Sequence, residues 1–265
     1  MQDVDARIRL RNLQGLRLPL DGAECGAYDG KVNFRSVCLA LSALPLLASA
    51  PGFAAQKRYA ISDFDQIRVF GPFNVVIQTG RAASVTASGD LQALDVVSVT
   101  SSGGVLTIQT LTRARSSWKD QPHAAAKLLV ILPQLKGVRL FGSGTITVAE
   151  MRGMATDIAL NGGGQLSVAK LASDTAKAYL SGSGRITIAG STKNFSANVS
   201  GSGDLDASQL SASDLKIVAA TSGRVSAKAL RAADIKQNGA GEVRVTGTSN
   251  CLVENAGSGT VSCGN

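Results

Sequence analysis

Few of the side chains that usually build deep chemistry are present. Aromatic residues make up only 4% of the 265, which disfavours a deep apolar pocket and the stacking platforms of single-stranded nucleic-acid binders. There is one histidine, His123, with no cysteine or second histidine near it in sequence. Nothing in that neighbourhood points to a Ser-His-Asp triad, and a lone loop histidine reads by default as a solvated side chain. The longest apolar run, Val37 to Ala48, is too short to cross a bilayer. No Gly-x-x-x-x-Gly-Lys-Ser/Thr motif occurs, and no long apolar helix follows any glycine cluster, so the glycines are read as structural and not as a phosphate cradle.

Glycine is plentiful, and its placement is periodic. From residue 142 a tripeptide corner recurs as Gly142-Ser143-Gly144, Gly162-Gly163-Gly164, Gly182-Ser183-Gly184, Gly201-Ser202-Gly203, Thr221-Ser222-Gly223, Gly239-Ala240-Gly241 and Gly257-Ser258-Gly259. The third residue is always glycine, and its steps are 20, 20, 19, 20, 18 and 18 residues. Two and four places after it stand apolar pairs separated by a polar residue, from Ile146/Val148 to Val261/Cys263. Such alternation marks a short strand with one buried face. A further inward position is expected at Met151, Leu171, Leu210 and Leu230, and a second strand at Ile158/Leu160, Ala178/Leu180, Ala197/Val199 and Ile217/Ala219. Equal strands recurring once per unit demand parallel stacking of successive turns, so the expected fold is an all-β parallel β-helix, a β-solenoid of about 18–20 residues per coil. The corners at Gly144, Gly164, Gly184, Gly203, Gly223, Gly241 and Gly259 are expected to need positive φ.

Ahead of the repeat the chain divides by composition. Residues 1–31 are polar and aperiodic and are expected to be a non-native or mis-assigned extension, with the true start near Val32. Residues 32–54 combine a basic start, a twelve-residue apolar stretch and small residues, the pattern of a secretory signal peptide. Cleavage after Ala54 avoids the proline that follows Ala50, and Cys38 lacks a lipobox before it. A buried apolar helix is the competing reading of the same run. Residues 55–60 read as a linker and 61–265 as the β-helix domain. Alternating segments between 61 and 110 are expected to be early, irregular coils, followed by a surface loop at 111–123.

Export leaves two cysteines, Cys251 and Cys263, twelve residues apart. In an oxidising compartment they are a disulfide candidate that would pin the last coil, whereas two buried small apolar residues are the alternative. One place after each third glycine, Arg185, Asp204, Arg224 and Glu242 should form an alternating charge ladder. Two places further, Thr147, Ser167, Thr187, Asp206, Ser226 and Arg244 form a flat, hydroxyl-rich outward column, either a binding face or a plain solvated one. Asp204 and Asp206 are the nearest approach to the paired carboxylates of a glycosidase, but their charge-ladder neighbours argue against that role. The calcium nonapeptide reading of Gly201 to Asp206 fails because the aligned coils lack the aspartate.

Phe64 to Gly71, Gly103 to Ile108, and Pro133-x-Leu135 running into Phe141-Gly142-Ser143-Gly144 together resemble the head GIN domain family, the auto-transporter adhesin head. The resemblance covers about residues 61–262 and implies a right-handed parallel β-helix in an exported bacterial protein. An auto-transporter also needs a membrane barrel, and no barrel strands follow within these residues, so the family name is not read as a secretion mechanism. Charge adds a direction: the chain is +8, and with six basic and five acidic residues in 1–54, residues 55–265 hold 21 minus 14, or +7. The expected protein is exported to the periplasm or surface of a Gram-negative bacterium and binds an anionic glycan or lipopolysaccharide, with no more than peripheral membrane contact. No cofactor, metal or nucleic acid is expected. A carbohydrate-active β-helix enzyme and a structural accessory of an envelope regulator are the competing readings.

Overall fold

The computed structural model of the chain describes residues 55–111 and 126–264. The extension at 1–31, the signal peptide at 32–54 and most of the loop at 111–123 lie outside these residues. What is described is a parallel β-solenoid. Its regular part consists of β9 (Thr145–Val148), β10 (Met151–Asn161), β11 (Gln165–Gly182), β12 (Arg185–Gly201), β13 (Asp204–Thr221), β14 (Arg224–Gln237), β15 (Glu242–Thr246), β16 (Cys251–Asn255) and β17 (Thr260–Cys263). Each of these strands pairs in parallel with the one a turn away. Alternation drives the winding, since one face of each strand must leave water. The predicted pairs Ile146/Val148 through Val243/Val245 and the second-strand pairs Ile158/Leu160 through Ile217/Ala219 are all buried.

The corners stack on one edge. The Gly164 N–H donates to the Gly142 carbonyl at 3.0 Å, Gly184 to Gly162 at 2.9 Å and Gly203 to Gly182 at 2.9 Å. The next residue repeats the pattern: Gln165 N–H to the Gly144 carbonyl at 2.9 Å, Arg185 to Gly164 at 3.0 Å and Asp204 to Gly184 at 3.0 Å. The reason for glycine differs from the expected one. Positive φ falls on the first residue of the corner at Gly142, Gly162, Gly182 (φ 116°) and Gly201, and on the third residue of none of the seven. At Gly184 the constraint is space, because a Cβ there would stand 2.5 Å from the Gly164 carbonyl oxygen and 2.7 Å from Leu160 Cδ2. Gly144 and Gly164 are equally crowded by the turn before them, at 2.6 and 2.5 Å from a carbonyl oxygen. Gly203, Gly223, Gly241 and Gly259 are closer still.

Leu230, expected inward, is 55% exposed. Between Ala207 and Ser211 three residues of β13 have no partner in β14, and Ser211 and Ala212 align with Lys228 and Ala229. The shorter coil puts the small Ala229 in the core and displaces Leu230 outward. Met151, Leu171 and Leu210 are buried as expected.

The first coils are threaded out of order. β2 (Gln66–Phe70) and β3 (Asn74–Thr79) lie between two later layers. One layer is β6 (Val105–Thr110) with β7 (Lys127–Leu132), and the other is β8 (Gly137–Phe141) with β9. These pairings are parallel, whereas β1 (Ala55–Tyr59), β4 (Ser84–Gly89) and β5 (Val97–Ser102) pair antiparallel and cover that end with the short helix α1 (Leu91–Asp95). Ala55–Tyr59 is therefore a cap strand where a linker was expected over 55–60, and 61–110 combine coils with an antiparallel excursion. At the other end β16 and β17 each pair on one side among the described residues. A Cys251–Cys263 disulfide with a Cα separation of 6.5 Å joins them.

Gly184→Ala should lower stability by about 1–3 kcal/mol through overpacking, which for a domain of this size is roughly 2–12 °C of melting temperature. Gly184→Asn should be no milder, although Asn tolerates positive φ. A melting temperature for Asn well above that for Ala would show that φ, and not space, sets the corner. Non-reducing mass spectrometry of the oxidised protein should find Cys251 linked to Cys263, and a Cys251→Ser/Cys263→Ser variant should lose up to about 3 kcal/mol. Free thiols in the oxidised protein would contradict the linkage.

Candidate functional site

The outward column forms as a continuous line across six strands. Thr147 pairs with Ser167, Ser167 with Thr187, Thr187 with Asp206, Asp206 with Ser226, and Ser226 with Arg244. Each is an outward residue between two buried apolar ones, so sheet alternation aims them all to one side. Adjacent members are spaced by the strand separation, about 4.8 Å. Arg185, Thr187, Asp206, Ser208, Ser226 and Arg244 line a shallow depression of about 420 Å³ on this face.

Charges around the depression are mutually satisfied. Arg185 donates to Asp204 at 2.8 Å, and the Arg224 backbone N–H donates to the other Asp204 oxygen at 2.9 Å. Glu242 accepts from Arg244 at 2.9 Å and from Arg224 Nε at 3.3 Å. The Arg185 guanidinium, helped by the Arg224 N–H, holds the Asp204 carboxyl below its ordinary value. Arg244 first, then Arg224, does the same for Glu242. A general acid needs the opposite shift, so Asp204 is poorly suited to protonate a leaving group. Asp206 is tied down separately, accepting from the Ser208 hydroxyl at 2.6 Å and the Ser208 backbone N–H at 3.1 Å. Ser208 escaped the sequence reading because it falls outside the period; the Asp-x-Ser spacing, which permits a local side-chain turn, was the available signal.

A second depression, about 710 Å³, lies on the side reached after the first bend of each coil. Its lining includes Met154, Ser191, Lys193, Ser211 and Leu230. Lys193 is paired with Asp174 at 2.8 Å. Beneath it Thr156, Ser173 and Thr192 link their hydroxyls at 3.2 and 3.4 Å, a polar seam at the bend that the period alone did not reveal. Among the described residues no group of three or more His, Cys, Asp or Glu side chains could hold a metal ion.

Residues 63–249 match the family described as "Putative auto-transporter adhesin, head GIN domain". The chain belongs to that family. Solved structures of other bacterial proteins share its fold. One titled a putative adhesin from Bacteroides fragilis is 17% identical with a TM-score of 0.72, covering 80% of this chain and 98% of that one. Another, titled a putative lipid binding protein from Parabacteroides distasonis, is 22% identical with a TM-score of 0.64 over 80% and 97%. A third, titled a putative adhesin from Parabacteroides merdae, is 18% identical with a TM-score of 0.58 over 80% and 96%. At such identities the likeness shows the fold alone. No curated protein matches the sequence of this chain at a significant level.

Because Asp204 and Glu242 are depressed in the folded head, their contribution is complete above the ordinary values of 3.8 and 4.5 and is lost as pH falls below them. Urea stability at low salt should therefore decline below about pH 4.5, less steeply in Asp204→Asn, and the effect should be small because solvent screens these exposed pairs. Identical acid profiles for Asp204→Asn and the parent would show that the ladder adds nothing.

Proposed function

We propose that this head GIN domain is an exported, non-catalytic binding module of the cell envelope or surface that takes a glycan along its outward polar column. The observation that carries the reading is the unbroken register from Thr147 through Ser167, Thr187, Asp206 and Ser226 to Arg244, which offers hydroxyl, carboxylate and guanidinium groups at a fixed pitch. A shallow, rigid polar face suits the repeated hydroxyls of an extended saccharide and offers no enclosed volume for a reaction. The +7 charge of residues 55–265 (21 minus 14) favours an anionic glycan, such as the sugar part of lipopolysaccharide. Membership of an adhesin family supports the same class of function. The signal-peptide pattern at 32–54 supports export to the periplasm or surface. Nucleic acid has no place in this reading, and no cofactor is needed.

The folded 55–265 domain on a glycan array should retain anionic saccharides at low salt and release them as salt rises. Thr187→Ala/Arg244→Ala should weaken retention. An array with nothing above background, or equal retention by the variant, would sink the proposal.

A further inference from the structure

Beside the polar column Arg185 is paired with Asp204, and Arg224 and Arg244 with Glu242, whereas two arginines on another side have no such partner. On the side of the solenoid that precedes the glycine corner, Arg68 of β2 stands directly opposite Arg139 of β8 in parallel register. Like charges directly opposite on neighbouring strands oppose pairing. Neither arginine forms an ion pair with any carboxylate among the described residues, unlike Arg152, Arg185, Arg224, Arg231 and Arg244. Both are half-buried, and the Arg68 Nε is fully buried without a hydrogen-bond partner. Two residues further along the same strands, Phe70 and Phe141 stack with ring centroids 4.6 Å apart and planes 6° from parallel. Phe70 remains 37% exposed. Among residues at register positions beside this pair, β6 contributes Thr107 and Gln109 and β10 contributes Ala159 and Asn161. Asp157, opposite Gly137, is the nearest carboxylate in register and forms no ion pair with either arginine.

We propose that Arg68 and Arg139 form an anion site for a phosphorylated saccharide, with the Phe70/Phe141 edge receiving the apolar flank of the sugar. Two guanidinium forks borne on strands about 4.8 Å apart match the several oxygens and double charge of a phosphate monoester, which a single carboxylate would leave half unbalanced. Arginine's planar fork explains why the pair is tolerated half-buried, where two lysines would hold their hydration more strongly. The proposal deepens the glycan reading by naming an anionic substituent and placing it on a different side from the polar column.

Isothermal titration of the oxidised 55–265 domain with glucose 6-phosphate, glucose, glucuronate and inorganic phosphate tests it. The phosphosugar should bind more tightly than inorganic phosphate or glucuronate, and glucose should not bind. Arg68→Gln/Arg139→Gln should weaken the phosphosugar about ten- to a hundredfold or more, with circular dichroism reporting an intact fold. Arg139→Lys, which keeps charge but not the fork and is the milder change for folding, should give an intermediate loss. Phe70→Ala should weaken the phosphosugar while leaving inorganic phosphate unchanged. Absence of phosphosugar binding, or binding that survives Arg68→Gln/Arg139→Gln, overturns the site; equal affinity for phosphate and phosphosugar overturns the saccharide assignment. Array retention lost in Thr187→Ala/Arg244→Ala but kept in Arg68→Gln/Arg139→Gln would leave the polar column standing and remove this site alone.

Discussion

The fold depends on how closely one turn of backbone can approach the next at the glycine edge. Gly164, Gly184, Gly203, Gly241 and Gly259 each donate the N–H to the carbonyl of the first residue of the corner below, and each lies too close to that turn for a Cβ. At these corners packing and hydrogen bonding therefore impose the same requirement. Because the edge is built from main chain, it fixes turn spacing whatever side chains the faces carry, and the faces are free to vary. Where the first corner residue departs from glycine, at Thr221, its hydroxyl satisfies the Gly223 N–H at 2.9 Å and donates to the Gly203 carbonyl at 3.3 Å.

Side-chain columns follow from that edge. Once register is set, like positions stand above one another, so a charge placed on one coil must be answered on the next. Arg185, Asp204, Arg224 and Glu242 alternate in sign, and further along Lys236 holds Glu254 at 2.6 Å. Arg68 beside Arg139 breaks this rule, which is why the anion site is proposed there. The two ends solve the open-edge problem differently. Antiparallel strands with Lys57 and Arg58 cover the first coils, whereas the last strands rely on a disulfide and leave Leu252 71% exposed.

Much of the fold and part of the site were legible in sequence. The glycine period and the apolar pairs two and four places after it gave the solenoid, its core and the outward column, because in-register stacking turns a linear period into a spatial line. The same logic failed at Leu230, where coil length changes, and at residues 55–110, where the period is too irregular to show that β2 and β3 sit between later strands.

The sequence by itself determined the parallel winding, the buried alternation, and the pairing of Cys251 with Cys263 as a candidate, since each depends on spacing along one strand or one coil. Only the tertiary structure decided that the third corner glycine is required by the carbonyl of the turn beneath and not by its own φ. Arg68 likewise meets Arg139 only there, though 71 positions separate them in the chain. The physical reason is that closeness across turns depends on how many residues each coil contains and in what order the coils are laid, and local periodicity records neither.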